Sequence, residues 1–292
     1  MNKLKKIPYI PQNIEINKDH IFDHNLHADI PINETAYKIL LLIDGIKSVS
    51  EITEHLNEEI KINYDVLYND INNLFYELNT NYLLNWKYKT NIMMKKIFIN
   101  FIAQYKKGYK ERVTIKNSSF FSVFNSINNV IFKKIGMLFT WTLALYILSV
   151  VLISDSLASG VAFGFLIAFV GLILSTNIHE LSHMYTLWIK KKNKNIGFLG
   201  ISPLGVRFVR PAETNFKNNI IIALSGSIIP GTLGVLMYII SFTMFKEWQY
   251  SVYINIFAGM FIIQLVHLLP FTGDGKNILN YILLMIYNKK II

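Results

Sequence analysis

The chain contains no cysteine. That excludes a disulfide framework and a thiolate metal site, so any metal must be held by His, Asp or Glu. Acidic residues are scarce too: 19 Asp and Glu stand against 29 Lys and Arg, a formal charge of +10. The excess is not gathered into a patch of the nucleic-acid-binding kind. Much of it flanks apolar segments, as expected of residues that orient a membrane protein on an anionic, cytoplasmic face. The first third has no long hydrophobic run. It opens on Met1-Asn-Lys-Leu-Lys-Lys-Ile-Pro8, basic but without the apolar core of a signal peptide, so the leading segment is expected to stay in the cytoplasm.

What is present is uneven. The chain is 52% hydrophobic and 14% aromatic, with a mean hydropathy of +0.34. Charged and Asn-rich sequence fills the first third, and every long apolar run follows Lys134. The expected fold is therefore mostly α: a small winged-helix-like α+β domain at residues 1–88, a basic linker and amphipathic helix at 89–134, and a polytopic helical membrane domain at 135–292. Spans are expected at Ile135–Ile153, Gly160–Ile189, Asn219–Phe242 and Val252–Leu269, each near the ~20 apolar residues a bilayer needs. Asn277–Tyr287 is too short to span. The loop after the second span carries Lys190, Lys191, Lys192, Lys194, Arg207, Arg210 and Lys217. The positive-inside rule puts it, with both termini, in the cytoplasm. Trp141, Trp188 and Trp248 fall near expected interfaces.

In the first domain, Ile14 and Ile16 alternate with polar neighbours, as do Leu26, Ala28, Ile30 and Ile32, which predicts strands between Tyr9 and Ile32. Asn33 caps a helix with Ala36, Ile39, Leu40 and Ile43 inward, and Gly45 ends it. Ser48 and Glu51 have capping-box spacing and open a second helix that buries Val49, Ile52 and Leu56. A third helix, about Tyr64 to Leu78, carries Val66, Leu67, Ile71, Leu74, Phe75 and Leu78 as its apolar stripe. Tyr88 to Lys116 shows no period. Phe120, Phe124, Ile127 and Ile131 give Asn117–Lys134 one apolar face, which fits a helix lying on the membrane or one packed under the soluble domain.

The second span contains His179-Glu180-Leu181-Ser182-His183, an H-E-x-x-H motif. On a helix, residues i and i+4 share a face, so both imidazoles can reach one metal with Glu180 beside them as a base. The alternative is a pair of hydrogen-bonded histidines in a buried helix interface. Membrane placement favours the metal, because ionisable groups at that depth need a reason to be there. Zinc catalysis needs a third protein ligand. After the fourth span comes His267-Leu-Leu-Pro270-Phe-Thr-Gly273-Asp274-Gly275, where Pro270 and the glycines let the chain turn and bring Asp274 inward. Asp274 is either that ligand or the cap of a turn. Between the second and third spans, Ile196 to Arg210 is rich in Gly and Pro with alternating apolar residues. It reads as a β-hairpin able to pair with an extended substrate, or as a plain surface loop.

Two resemblances follow from these residues. Asn33-Glu34-Thr35-Ala36-Tyr37-Lys38-Ile39-Leu40, Ile43-Asp44-Gly45, Val49-Ser50-Glu51-Ile52, Val66 to Asp70 and Leu78 to Leu84 resemble, in order and spacing, the PqqD family of leader-peptide recognition modules. The resemblance implies that an edge strand near His27, Ala28 and Ile30 takes a precursor peptide as an added strand. A DNA-binding winged helix is the competing reading, and Asp65, Asp70 and Glu77 on the third helix oppose it, so no nucleic-acid partner is expected. H-E-x-x-H with a distant Asp-Gly pair resembles the site-2 protease family of intramembrane metalloproteases over Ile135 to Ile292. It implies Zn2+ held by His179, His183 and Asp274, with Glu180 as catalytic base. Two departures bear on substrate and oxyanion contacts from His267, Gly273 and Gly275. His267 stands where that family has Asn, and Pro270 lies one residue closer to the Asp. The middle-helix motif is only echoed in Gly226-Ser227-Ile228-Ile229-Pro230. His267 is a replacement donor or a satisfied interface histidine.

Together these imply a zinc metalloendopeptidase of a bacterial cell membrane, in contact with the bilayer, that cuts a ribosomally made precursor peptide. Cleavage of a membrane-anchored regulator and a non-catalytic binding or immunity role are the alternatives.

Overall fold

The computed structural model describes residues 5–88, 93–106, 108–115, 119–153, 156–203, 205–211 and 214–289. The strands are β1 (Lys6–Tyr9), β2 (Ile14–Ile16), β3 (His20–Asp23), β4 (Ala28–Pro31), β5 (Asn85–Tyr88), β6 (Glu111–Val113), β7 (Phe198–Ser202) and β8 (Gly205–Val209). The helices are α1 (Glu34–Leu41), α2 (Val49–Ile60), α3 (Tyr64–Thr80), α4 (Met93–Ala103), α5 (Phe120–Leu148), α6 (Ser156–Lys191), α7 (Phe216–Met244), α8 (Ser251–Ile262) and α9 (Gly273–Lys289). The chain is mostly helical, with a small α+β N-terminal region followed by long apolar helices. It divides into two units, Met1–Lys116 with Asn195–Pro211, and Asn117–Lys194 with Ala212–Ile292.

In the first unit, β2, β3 and β4 form an antiparallel sheet in that order, with Ile21 opposite Ile30. Ile14, Ile21, Ile39, Leu40, Ile52, Leu56, Ile71, Phe75 and Leu84 make the core beneath it. The caps are those expected. Asn33 Oδ1 accepts from the Ala36 amide at 2.8 Å, and Ser48 and Glu51 form a complete capping box. Three details differ. α1 ends at Leu41, four residues before Gly45, because Asp44 Oδ1 takes the Ile46 and Lys47 amides and turns the chain first. Val66 is 52% exposed, since Asn63 caps α3 and sets the helix with Leu67 rather than Val66 inward. Leu26 lies between strands in the β3–β4 turn, where His27 takes φ 49°.

The expected linker is structured where it is described. It contains α4 and then β6, which two buried asparagines fix to the core of the first unit. Asn79 Nδ2 donates to the Leu84 and Lys110 carbonyls, both at 2.7 Å, and its Oδ1 accepts from the Lys110 amide at 3.2 Å. Asn85 donates to the Arg112 carbonyl and accepts from the Arg112 amide, both at 2.8 Å. β6 pairs with β7 and β7 with β8, so the hairpin between the second and third spans is real. It belongs to the first unit rather than to the membrane domain as expected. The Gly197 amide donates to the Asn25 carbonyl at 2.9 Å, and Asn25 Nδ2 to the Asn195 carbonyl at 3.0 Å.

The second unit holds four stretches long and apolar enough to cross a membrane: Phe120–Leu152, Leu157–Lys191, Phe216–Met244 and Ser251–Tyr287. Large apolar side chains such as Leu138, Trp141, Leu145, Leu236 and Ile239 lie exposed on their outer faces, the reverse of a soluble protein and suited to lipid. The expected break at Lys134 is absent. α5 runs on through it, because no proline interrupts the segment, and Lys134 itself is buried. Its packed stripe is Val123, Ile127, Val130 and Ile131, while Phe120 is exposed. Trp188 is buried, with its ring against that of Tyr185. α8 continues as a 3-10 helix, Ile263–Leu268, and the chain then breaks at Pro270 before α9.

Candidate functional site

His179, Glu180 and His183 lie on α6 and are 4%, 5% and 8% exposed. Asp274 sits in the first turn of α9. His179 Nε2 and His183 Nε2 are 3.1 Å apart, and Asp274 Oδ2 lies 3.1 and 3.2 Å from them. A carbonyl decides the chemistry of this triangle. The Ile222 oxygen on α7 is 2.6 Å from His183 Nδ1, and since it only accepts, Nδ1 carries the proton. In neutral His183 the Nε2 lone pair therefore points at the other two atoms. Neutral His179 has at most one proton to share between two acceptors. With both rings neutral the centre lacks positive charge, which a divalent cation would supply.

The spacing fits such an ion. Tetrahedral zinc with bonds of about 2.0–2.1 Å has ligand–ligand edges of about 3.3–3.4 Å, close to the observed triangle. The Ile222 contact is of the kind that, in a metal site, orients an imidazole towards the ion. His179 Nδ1 is buried and has no such partner among the described residues.

The elements that shape the site lie outside the motif. A Cβ at Gly226 would overlap the His183 ring, so only glycine lets α7 approach α6 there. Pro230, one turn later inside α7, has no N–H to give to the Gly226 carbonyl, which leaves that acceptor without its helical donor. Thr272 shapes the turn that delivers Asp274. Its hydroxyl is 2.6 Å from the His267 carbonyl and 2.7 Å from that of Leu269, and it accepts from the Gly275 amide at 3.4 Å. Gly275 passes so close to the Leu269 carbonyl that a side chain would collide. Gln264, buried, donates to Ser175 Oγ at 2.9 Å and ties the 3-10 segment to α6.

Gly275 thus has a packing reason to be glycine, and its amide is engaged inside the turn rather than turned to a substrate. Gly273 is exposed with open space around it. His267 is no buried interface histidine: it is exposed, with its ring 4.8 Å from that of His179. Of the residues that shape the site from α7, Gly226 and Pro230 left a trace in the sequence, as the two ends of Gly226-Ser227-Ile228-Ile229-Pro230. A main-chain carbonyl such as that of Ile222 leaves none.

In the first unit, Ala28 and Ile30 lie in β4, and His27 falls in the turn before it, outside the strand expected for it. β4 is an edge of its sheet. The Ile32 amide donates to the Asp19 carbonyl across the β3–β4 pair, so by alternation Ile30 also faces β3, and Asp29 and Pro31 face outward. Proline has no N–H, so within β4 the outer edge offers one donor, Asp29, and two carbonyls. Pro on an edge strand also guards against promiscuous pairing.

Residues 29–84 match the family model of coenzyme PQQ synthesis protein D (PqqD). The PqqD-like domain thus begins inside β4 and ends at Leu84, just before β5. No curated protein and no solved structure matches the chain.

Proposed function

We propose that the chain is a membrane-embedded zinc endopeptidase that cuts a precursor peptide captured by its PqqD-like domain. The observation that carries this is the His179–His183–Asp274 triangle with His183 held by Ile222. Among the described residues it is the cluster able to hold a metal ion, and it lies among helices apolar enough for a bilayer. His179, His183 and Asp274 would hold the ion. The chemistry such an ion would supply there is a lowered pKa for a water molecule and polarisation of a scissile carbonyl. Glu180 accepts the water proton and hands it to the leaving amine. The Ile222 carbonyl keeps the His183 ring in its ligating tautomer, and Thr272 and Gly275 fix the turn from which Asp274 reaches in. The buried setting keeps bulk water from competing with the positioned groups.

On this reading the outer edge of β4 receives the leader as an added strand, and the first unit lies on the cytoplasmic side of a bacterial membrane, which the positive charge of the loop after the second span supports. The PqqD-like match favours a ribosomal peptide precursor over a membrane-anchored regulator, which needs no leader capture. The test compares peptidomes of the native host carrying the wild-type protein or Glu180→Gln, at equal protein levels. An uncut precursor accumulating in the variant supports the reading and gives the substrate. Identical peptidomes reject it in favour of a binding or immunity role.

A further inference from the structure

The first unit has a second concave surface that β2–β4 do not line. It is a cleft of about 810 Å3 between the start of α2, one side of α3, the ends of β1 and β5, and α4. That volume is in the range of small-ligand and peptide sites. Its walls are of two kinds. Phe98 and Ile102, both exposed, give it an apolar side. Lys5, Lys6 and Lys106 line it with positive charge, and no carboxylate is among its lining residues.

The lysines differ. Lys5 is paired with Glu51 at 3.0 Å. Neither Lys6 nor Lys106 has an ion-pair partner among the described residues. Burial, and then the neighbouring Lys106, push the Lys6 ammonium below its ordinary 10.5. Two cations that line one partly enclosed cleft and repel each other are relieved by an anion bound in it. The hydroxyls of Ser50 and Tyr88 on the same lining can hydrogen-bond a peptide backbone.

We infer that this cleft binds an acidic, partly apolar stretch of peptide, a second contact for the precursor besides the β4 edge. The inference rests on the reading of this unit as a peptide-binding module. The complementarity is specific in sign: carboxylates answer Lys6 and Lys106, and an apolar side chain between them answers Phe98 and Ile102. A flat anionic membrane surface fits less well, because the charged groups line a concavity.

The experiment uses the full chain in neutral detergent, with fluorescein-labelled peptides of five Glu-Leu repeats and five Gln-Leu repeats as probes, read by anisotropy. The acidic probe binds at least about tenfold tighter than the neutral one, and the gap narrows as salt rises. The gap disappears in Lys6→Glu/Lys106→Glu. Lys6→Gln/Lys106→Gln, which adds no repulsion, narrows it too, and matching circular dichroism spectra show that both variants are folded. Equal binding of the two probes, or an unchanged gap in the variants, overturns the inference. Lysine acylation read by mass spectrometry adds a second arm. Protection of Lys6 and Lys106 by the acidic probe supports it, whereas protection by phosphatidylglycerol nanodiscs and not by the probe assigns the cleft to lipid and overturns it. Precursor cleavage that persists while the acidic probe fails to bind sinks this inference alone. Probe binding without any cleavage leaves it standing and sinks the protease reading.

Discussion

The two units bury charge in opposite ways. In the first, Arg112 and Asp23 are fully enclosed and matched atom for atom. Nη1 donates to Asp23 Oδ2 at 2.6 Å, and Nη2 to Asp23 Oδ1 at 2.7 Å and Asn25 Oδ1 at 2.6 Å. Asp23 Oδ1 also takes the Asn25 and Leu26 amides, and the guanidinium lies 3.9 Å over the Phe198 ring. Donors meet acceptors, and only Nε goes without. In the second unit, His179, His183 and Asp274, with both rings neutral, bring acceptors together and are short of protons. A satisfied buried pair specifies structure. An unsatisfied one is held in place by its surroundings for something that comes from outside.

Substitution should separate the two. Arg112→Met leaves Asp23 charged and enclosed, and the first unit should lose about 3–5 kcal/mol. Arg112→Met with Asp23→Asn should regain most of that, since Asn still accepts from the Asn25 and Leu26 amides without a charge. Hydrogen exchange at β3 and β6 reads this locally, as two units need not melt together. In metal-free protein, Asp274→Asn should leave exchange in α6 and α7 unchanged or slower, while zinc should protect the wild type and not the variant. An Asp274→Asn loss as large as that of Arg112→Met would break the comparison, and the cluster would then be structural.

A subtler change tests whether the surroundings hold the ligands. Gly226→Ala puts a methyl where the His183 ring stands. The ring must turn and lose its bond to the Ile222 carbonyl. Zinc affinity should fall about 10–100-fold, the usual effect of disturbing an outer-shell contact. Titration against a competing chelator measures it, and an affinity equal to wild type would mean that α7 does not position the ligand.

The peptide edge of the first unit predicts a smaller effect. Asp29→Pro removes the one outward donor within β4. Affinity for the precursor's leader should drop about three- to tenfold, the worth of one hydrogen bond. Pro31→Thr adds a donor and should strengthen binding by a similar factor. Calorimetry with the leader found by the peptidome comparison decides between them. If neither substitution matters, β4 is not the strand that receives the peptide.

Period and capping made much of this legible. Asn33, Ser48 and Glu51 announced the starts of α1 and α2, and apolar length announced the four spans. H-E-x-x-H fixed i and i+4 on one face of α6 through local geometry alone, and Pro270 with its glycines marked the turn before Asp274. Long-range partnerships left no such mark. Asn79 and Asn85 fix β6 to the core across 31 and 27 residues, in a stretch with no period of its own. The hairpin at Asn195–Pro211 joins the first unit because its neighbours are Asn25 and β6, distant in the chain. His27 looked like a strand residue because alternation continues through it, yet Asp23 Oδ1 takes the two amides before it and turns the chain there.

The smallest effect expected lies at Glu51, and it returns to the contrast between satisfied and unsatisfied groups. Hydrogen bonds from the Ser48 amide, the Ser48 hydroxyl and Lys5 hold the Glu51 carboxyl down to about 2, against an ordinary 4.5. A folded-state value below the unfolded one stabilises at pH above about 4.5, and the contribution disappears as pH falls toward 2. The side chain is 38% exposed, so solvent screens much of it. Glu51→Gln keeps an acceptor for the Ser48 amide but loses the charge. The variant should therefore be slightly less stable at neutral pH, and its α2 amides should lose less protection than wild type as pH is lowered from 4.5 to 2. An identical pH response in the two proteins would mean that the box closes α2 without storing any charge-dependent stability. The first unit's exposed charge would then matter even less than its buried pair suggests.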